Sequence, residues 1–344
     1  MIAGATSGDT GGAALEAFKT CDGIETFFMF PDGKVSDFQR RQMTTVGADN
    51  CHALAIDGSF DDCQTMVKDM FANQAFASRV KLSAVNSINW GRVMAQVVYY
   101  FTAATALGAP EQKVSFTVPT GNFGDIYAGF VAKKMGLPIN RLVIATNEND
   151  ILARTLATGE HRLGPVKSTI TPSMDIQLSS NFERLLFDAA GRDPAVVRDL
   201  MAALKESRRY SLPDKMLRFI RDSFDADAVS EIETPEEVAR IWKEAGYLVD
   251  PHTAIAVKVA RDHIDPEVPM ITLSTAHPAK FCEAVHDATG EAARPPAWGD
   301  VPSGRTETVA HLTSDRARVE EYIFQHARLT HSSVQSLASE GVTS

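Results

Sequence analysis

No apolar run in the sequence approaches the ~18 residues needed to span a bilayer. The first residues also lack the charged start and long apolar core of a signal peptide. Positive charge is in deficit, with 34 Lys+Arg against 44 Asp+Glu and a formal net charge of −10. That balance excludes a general nucleic-acid binder, because phosphate contacts along a strand need clustered positive charge. The four cysteines, Cys21, Cys51, Cys63 and Cys282, form no CxxC pair and no metal-ligand spacing with histidine. Reduced thiols of a cytosolic protein are the simpler account. The expectation is a cytoplasmic chain with no membrane, nucleic-acid or metal partner. No G-x-G-x-x-G occurs either, so a dinucleotide fingerprint is not supported.

What is present is ordinary for a globular protein: 344 residues, 44% hydrophobic and 23% charged, long enough for two domains. Apolar, β-rich runs at Thr26–Phe30, His52–Ile56, Val114–Val118, Leu142–Thr146 and Pro269–Leu273 alternate with helical patterns. Ser59 and Asp62 predict a capped helix reaching to Ala75. Asn89 through Leu107 predicts a longer helix, apolar on most faces and therefore buried. Thr234-Pro235-Glu236-Glu237 reads as a capping box with proline at the first helical position. The alternation implies an α/β fold of three layers, with mainly parallel sheets built from βαβ units. We expect a smaller α/β domain over residues 1–95 and a larger one over 96–330. The larger carries a helical insertion at about 188–246 with no strand, and the polar tail 331–344 is expected to be mobile.

Three small-residue loops each fall at the carboxyl end of a strand, where open α/β sheets bind ligands. The first, Ser7-Gly8-Asp9-Thr10-Gly11-Gly12, opens a helix after only a few residues, so its strand is very short or the chain begins inside a domain. Its N–H groups suit an anion. The second, Pro119-Thr120-Gly121-Asn122-Phe123-Gly124-Asp125, sits between a strand and a helix and presents successive N–H groups to a phosphate. The third, Ser274-Thr275-Ala276-His277-Pro278-Ala279-Lys280-Phe281, places a neutral hydroxyl at Thr275 that can face a heterocyclic nitrogen. A plain βα turn and a plain helix cap are the structural alternatives for the last two.

These loops, together with Val85-Asn86-Ser87-Ile88-Asn89-Trp90, Asp250-Pro251-His252-Thr253-Ala254, Pro172–Ile176 and Ser179–Arg184, resemble the threonine synthase family on its bacterial and fungal branch. The resemblance covers residues 1 to about 300. It implies pyridoxal 5′-phosphate as cofactor, the fold type II of such enzymes, and conversion of O-phospho-L-homoserine and water to L-threonine and phosphate. It implies that Gly121, Asn122, Phe123, Gly124 and Asp125 hold the cofactor phosphate and that Thr275 faces the pyridine nitrogen. Ser7, Gly8, Asp9 and Thr10 would receive the substrate carboxylate; Asp9, Asn86 or Asn89 would contact the ring oxygen. Arg154, Arg184 and Lys280 are candidates for the substrate phosphate by charge and neighbourhood. Threonine dehydratase or cysteine synthase chemistry is the alternative within enzymes, and a non-catalytic phosphate-ligand binder the alternative outside them.

The resemblance also implies a lysine that holds the cofactor covalently, in a Phe-Lys-Asp segment upstream of the first glycine loop. Only Met1–Thr6 precede that loop here, and Phe18-Lys19 is followed by Thr20 in the helix after it. Lys280 matches a different family position. The expectation is a first domain incomplete at its N-terminus, no lysine in the Schiff-base role and no activity of the chain alone.

Overall fold

A computed structural model describes residues 1–6, 8–85, 89–296 and 304–328, with Asp61 described in its backbone only. The expectations on Ser7, Asn86 and the tail 331–344 lie outside the described residues. Ten strands run in chain order: β1 Ile2–Ala5, β2 Thr26–Pro31, β3 Cys51–Asp57, β4 Val114–Pro119, β5 Ile139–Thr146, β6 Glu160–Arg162, β7 Arg209–Ser211, β8 Phe224–Ala228, β9 Met270–Thr272 and β10 Ala310–Thr313. The chain divides into two compact units, Met1–Asn86 with Pro296–Ser344, and Ser87–Pro295.

The first unit holds a sheet ordered β1-β2-β3-β10, parallel throughout. Its central strand β2, Thr-Phe-Phe-Met-Phe-Pro, is buried along its whole length, as a parallel strand covered on both faces must be. Alternation sends Phe27 and Met29 into one core with Cys63, Met70, Val319 and Ile323. Phe28 and Phe30 go into the opposite core with Ala14, Leu15 and Met43. This is the expected three-layer build. The short strand β1 is an edge strand, and Ser83 covers part of its rim: Ala3 N–H donates to the Ser83 carbonyl at 3.1 Å and Ser83 N–H to that of Met1 at 2.8 Å. The sequence reading assigns residues 96–330 to the second domain; the pairing of β10 with β3 instead joins the C-terminal part of that stretch to the first unit's sheet.

The second unit is built on a parallel sheet ordered β8-β5-β4-β9, with β6 and β7 forming an antiparallel ribbon. Phe116, Val118 and Ile144 pack on one side with Tyr100, Phe123, Phe130 and Phe224. Val143 and Ala145 pack on the other with Met174, Ile255 and Val259.

Four sequence expectations are corrected here. The stretch 188–246 is not strand-free, since β7 and β8 lie in it. Strand β8, Phe-Asp-Ala-Asp-Ala, has a period of two, but its acidic residues hide it; at the sheet edge they are tolerated, and Arg141 pairs with Asp225. The helix Trp90–Ala106 is not buried on most faces: Trp90, Met94 and Val98 are 47%, 60% and 64% exposed, while Val93, Val97 and Tyr100 face the core. The capping box of the helix Glu233–Ala245 is not at Thr234. It lies between Ser230 and Glu233, whose backbone N–H groups reach each other's side chains at 3.1 and 3.3 Å, and Thr234 is buried in the first turn. The run Pro269–Leu273 forms a shorter strand, because Pro269 has no N–H to pair. The Ser59–Asp62 box is present as expected and caps Phe60–Ala72.

Candidate functional site

Strands β4 and β9 run in parallel register, Thr117 opposite Thr272, and Leu273 N–H donates to the Thr117 carbonyl at 3.0 Å. The loops that follow them, 120–125 and 273–281, therefore leave the sheet side by side at its carboxyl edge. The structure thus brings together two of the three sequence-predicted loops within one unit.

The 120–125 turn enters the helix Gly124–Lys134 without any side-chain cap. Its carbonyls are turned away and occupied: Ser179 Oγ donates to the Gly121 carbonyl at 2.8 Å, while Asn181 N–H and Nδ2 donate to that of Asn122 at 3.1 and 3.0 Å. Among the described residues, the N–H groups of Gly121, Asn122, Phe123, Gly124 and Asp125 have no acceptor. Phe123 is left-handed, with φ of 64°, a conformation disfavoured by about 1–2 kcal/mol outside glycine. Burial holds it there, the ring lying 5.2 Å from Phe182 and 5.8 Å from Phe224. Backbone strain of this kind clusters at ligand-binding turns.

Two segments that carried only resemblance in the sequence form the walls of this cradle. Asp175 accepts from Asn147 Nδ2 at 2.8 Å, Asn149 Nδ2 at 3.0 Å and Thr169 Oγ1 at 2.7 Å. That half-buried network holds the turn Pro172–Met174, and the Ser173 carbonyl lies only 2.5 Å from where a Cβ on Gly121 would stand. On the other side Ser180 Oγ donates to Asn122 Oδ1 at 3.1 Å. Nothing local in the sequence announces the bonds to Asn147, Asn149 and Asn122, which span more than twenty-five residues.

The Asp125 carboxyl points away from the N–H row, accepting from Tyr100 Oη at 3.1 Å, and burial pushes its pKa up to about 6. Arg92 was missed at the sequence level. Its Nη1 is buried without an acceptor among the described residues, and desolvation lowers its pKa. Arg184 donates from Nε to Asn181 Oδ1 at 3.1 Å and lies 5.5 Å from the Trp90 ring. It lines a cavity of about 810 Å³ with Trp90, Tyr127, Ser180 and Arg192. Arg154 is engaged elsewhere, by Asp150 at 2.7 Å and the Arg162 carbonyl at 3.5 Å. Asn89 caps its helix, accepting from Gly91 N–H at 2.8 Å.

Thr275 is exposed in the loop after β9, and Lys280 lies half-buried in the short turn Pro278–Phe281. In the first unit Gly8, Asp9 and Thr10 open the helix Asp9–Phe18, but Thr6 Oγ1 takes the N–H groups of Gly8 at 3.0 Å and Gly11 at 2.9 Å. Asp9 Oδ1 accepts from Gln39 Nε2 at 3.0 Å. Fewer donors are left for an anion there than the glycine pattern suggests.

Residues 1–210 match the model of the pyridoxal-phosphate dependent enzymes, and residues 253–323 that of the threonine synthase C-terminal region. Threonine synthase of Pseudomonas aeruginosa is 50% identical over 328 residues, 95% of this chain and 70% of that protein. The chain belongs to the threonine synthase family. Within that family, threonine synthase of Saccharomyces cerevisiae is 43% identical, over 83% of this chain and 60% of the yeast protein. The crystal structure of pyridoxal-phosphate-bound threonine synthase from Brucella melitensis matches with a TM-score of 0.92 and 55% identity, covering 95% of this chain and 70% of that one. The chain thus spans 60 to 70% of the length of these relatives. It has the α/β fold type II of the pyridoxal-phosphate enzymes, with mainly parallel sheets. The cofactor of the family is pyridoxal phosphate, and the cradle at Gly121–Asp125 fits its phosphate: five donors without an acceptor among the described residues, a helix N-terminus and a carboxylate turned away. No helix among the described residues is long and apolar enough to cross a membrane, and none of their His, Cys, Asp and Glu side chains group to hold a metal.

Proposed function

We infer that this chain carries the cofactor and substrate loops of a cytoplasmic threonine synthase, converting O-phospho-L-homoserine and water to L-threonine and phosphate. The observation that carries the reading is the row of unpartnered N–H groups from Gly121 to Asp125, walled by segments similar to those of that family. When bound, pyridoxal phosphate supplies the electron sink for loss of the substrate phosphate and addition of water. The N–H row holds the cofactor phosphate at the positive end of a helix. Thr275 offers the ring nitrogen a neutral hydroxyl. The loop of Ser7, Gly8, Asp9 and Thr10 takes the substrate carboxylate, and Asp9, Asn86 or Asn89 the ring oxygen. For the substrate phosphate, Arg92 and Arg184 are favoured over Arg154, which Asp150 already holds; Lys280 completes the set.

The tripeptide Phe-Lys-Asp does not occur in the sequence, and no lysine of this chain takes the covalent role. The chain by itself is therefore inactive. Phosphate release from O-phospho-L-homoserine is measured with and without an added N-terminal segment of a relative. Borohydride reduction and peptide mapping accompany it. Turnover only with the segment supports the reading; robust turnover and a pyridoxyl-lysine in the chain alone overturn it.

A further inference from the structure

The loop that carries Thr275 begins at Ser274 and ends at Phe281, and one buried carboxylate reaches both ends. Asp250 is fully buried and precedes the helix Pro251–Asp262. It accepts from His252 N–H at 2.9 Å, from His252 Nδ1 at 2.9 Å, from Thr253 N–H at 3.4 Å, and from the Thr253 hydroxyl. Capping the helix needs only the two N–H bonds. The two side-chain bonds lead outward. A threonine hydroxyl has one proton, and Thr253 Oγ1 has two acceptors for it, the Asp250 carboxylate and, at 3.4 Å, Ser274 Oγ. Thr253 therefore sits between Asp250 and Ser274 and ties one to the other. At the other end, the His252 ring lies 4.8 Å from the Phe281 ring. His252 is buried, and its Nε2 has no partner among the described residues, so packing on Phe281 and the bond to Asp250 orient it.

We propose that Asp250 is a positioning residue for the cofactor ring, clamping the Ser274–Phe281 loop at both ends through Thr253 and His252 so that Thr275 is presented in one orientation. The inference rests on the reading of Thr275 as the group at the ring nitrogen. A structural capping role alone would stabilise the helix and leave the loop free. The clamp instead holds Ser274 Oγ against Thr253 and Phe281 against His252, one contact on either side of Thr275.

The test uses hydrogen exchange in the full chain without cofactor, followed by titration with pyridoxal phosphate read by absorbance. Thr253→Val breaks the Ser274 end and His252→Ala the Phe281 end; Thr253→Ser keeps the hydroxyl. Amides of 274–277 in Thr253→Val, and of 279–281 in His252→Ala, are expected to exchange at least tenfold faster, with those of β4 and β5 unchanged. Thr253→Ser restores protection. Cofactor affinity falls about tenfold in Thr253→Val, with an altered spectrum of the bound ring. Unchanged loop exchange in folded variants, or loosening spread evenly over the unit, overturns the clamp. If Thr253→Val does not fold, Ser274→Ala tests the same bond. Failure of the unaltered chain to bind pyridoxal phosphate counts against the cradle instead, since the exchange measurement needs no cofactor.

Discussion

At the residue scale, Gly121 and Asp125 show opposite demands on the same turn. A Cβ at Gly121 would lie 2.5 Å from the Ser173 carbonyl, and both are backbone positions that cannot swing aside. Gly121→Ala should destabilise the unit by roughly 1–3 kcal/mol and weaken pyridoxal phosphate binding by tenfold or more, about 1.4 kcal/mol. Unchanged affinity in a folded variant would remove Gly121 from the cradle. Asp125 titrates near 6 in the fold against an ordinary 3.8, because burial disfavours its charge. Between those values the native state holds a proton that the unfolded chain has lost. Stability therefore falls as pH rises through that window, and the penalty is complete above about pH 6. Asp125→Asn should be close to neutral near pH 4 and stabilising by about 1–3 kcal/mol at pH 7.5. Urea midpoints at the two pH values decide it: an equal gain at both would show that the carboxyl is not the cause. Arg92 behaves in the reverse sense. Its desolvated guanidinium, whose Nη1 has no partner among the described residues, costs stability unless an anion arrives, so Arg92→Met should raise the melting temperature and abolish any stabilisation by added phosphate. A lowered melting temperature with phosphate stabilisation intact would contradict that.

At the scale of elements, what the sequence shows and what it hides separate along the range of the interactions. The turn 120–125 was legible because its glycines follow an apolar strand directly. So were β2 to β5 and the Ser59–Asp62 cap, all set by neighbours in the chain. The walls of the cradle were legible only as resemblance, since Asp175 and Ser180 act through contacts with residues far away in sequence. Acidic alternation concealed β8, and apolar content misled for Trp90–Ala106, where the exposed positions recur every fourth residue. The helix Glu233–Ala245 gives the test of register. With the box at Ser230, Ser230→Ala should cost about 1 kcal/mol, measured by denaturant unfolding, because it strips the acceptor from Glu233 N–H. A loss below a few tenths of a kcal/mol would return the cap to the position first read from the sequence.

At the scale of the whole molecule, each unit has its own sheet and its own cores, but they differ in how the chain supplies them. The first unit depends on its distant C-terminal part: β10 pairs with β3, Val319 and Ile323 fill its core, and Arg328 meets the buried Glu25 at 2.8 Å. The second is one continuous stretch, Ser87–Pro295. Every bond described for the cradle, its walls and the Asp250 clamp lies inside that stretch. Domains that close their own core in one segment fold alone, so residues 87–295 expressed by themselves should unfold cooperatively. They should also bind pyridoxal phosphate with an affinity within about threefold of the full chain, roughly 0.7 kcal/mol. Binding is read by absorbance titration and folding by urea melts of the same preparation. A folded fragment without affinity would mean that the first unit supplies an essential part of the cofactor site. A fragment that binds as the full chain does places the cofactor phosphate with the second unit and leaves the first for the substrate.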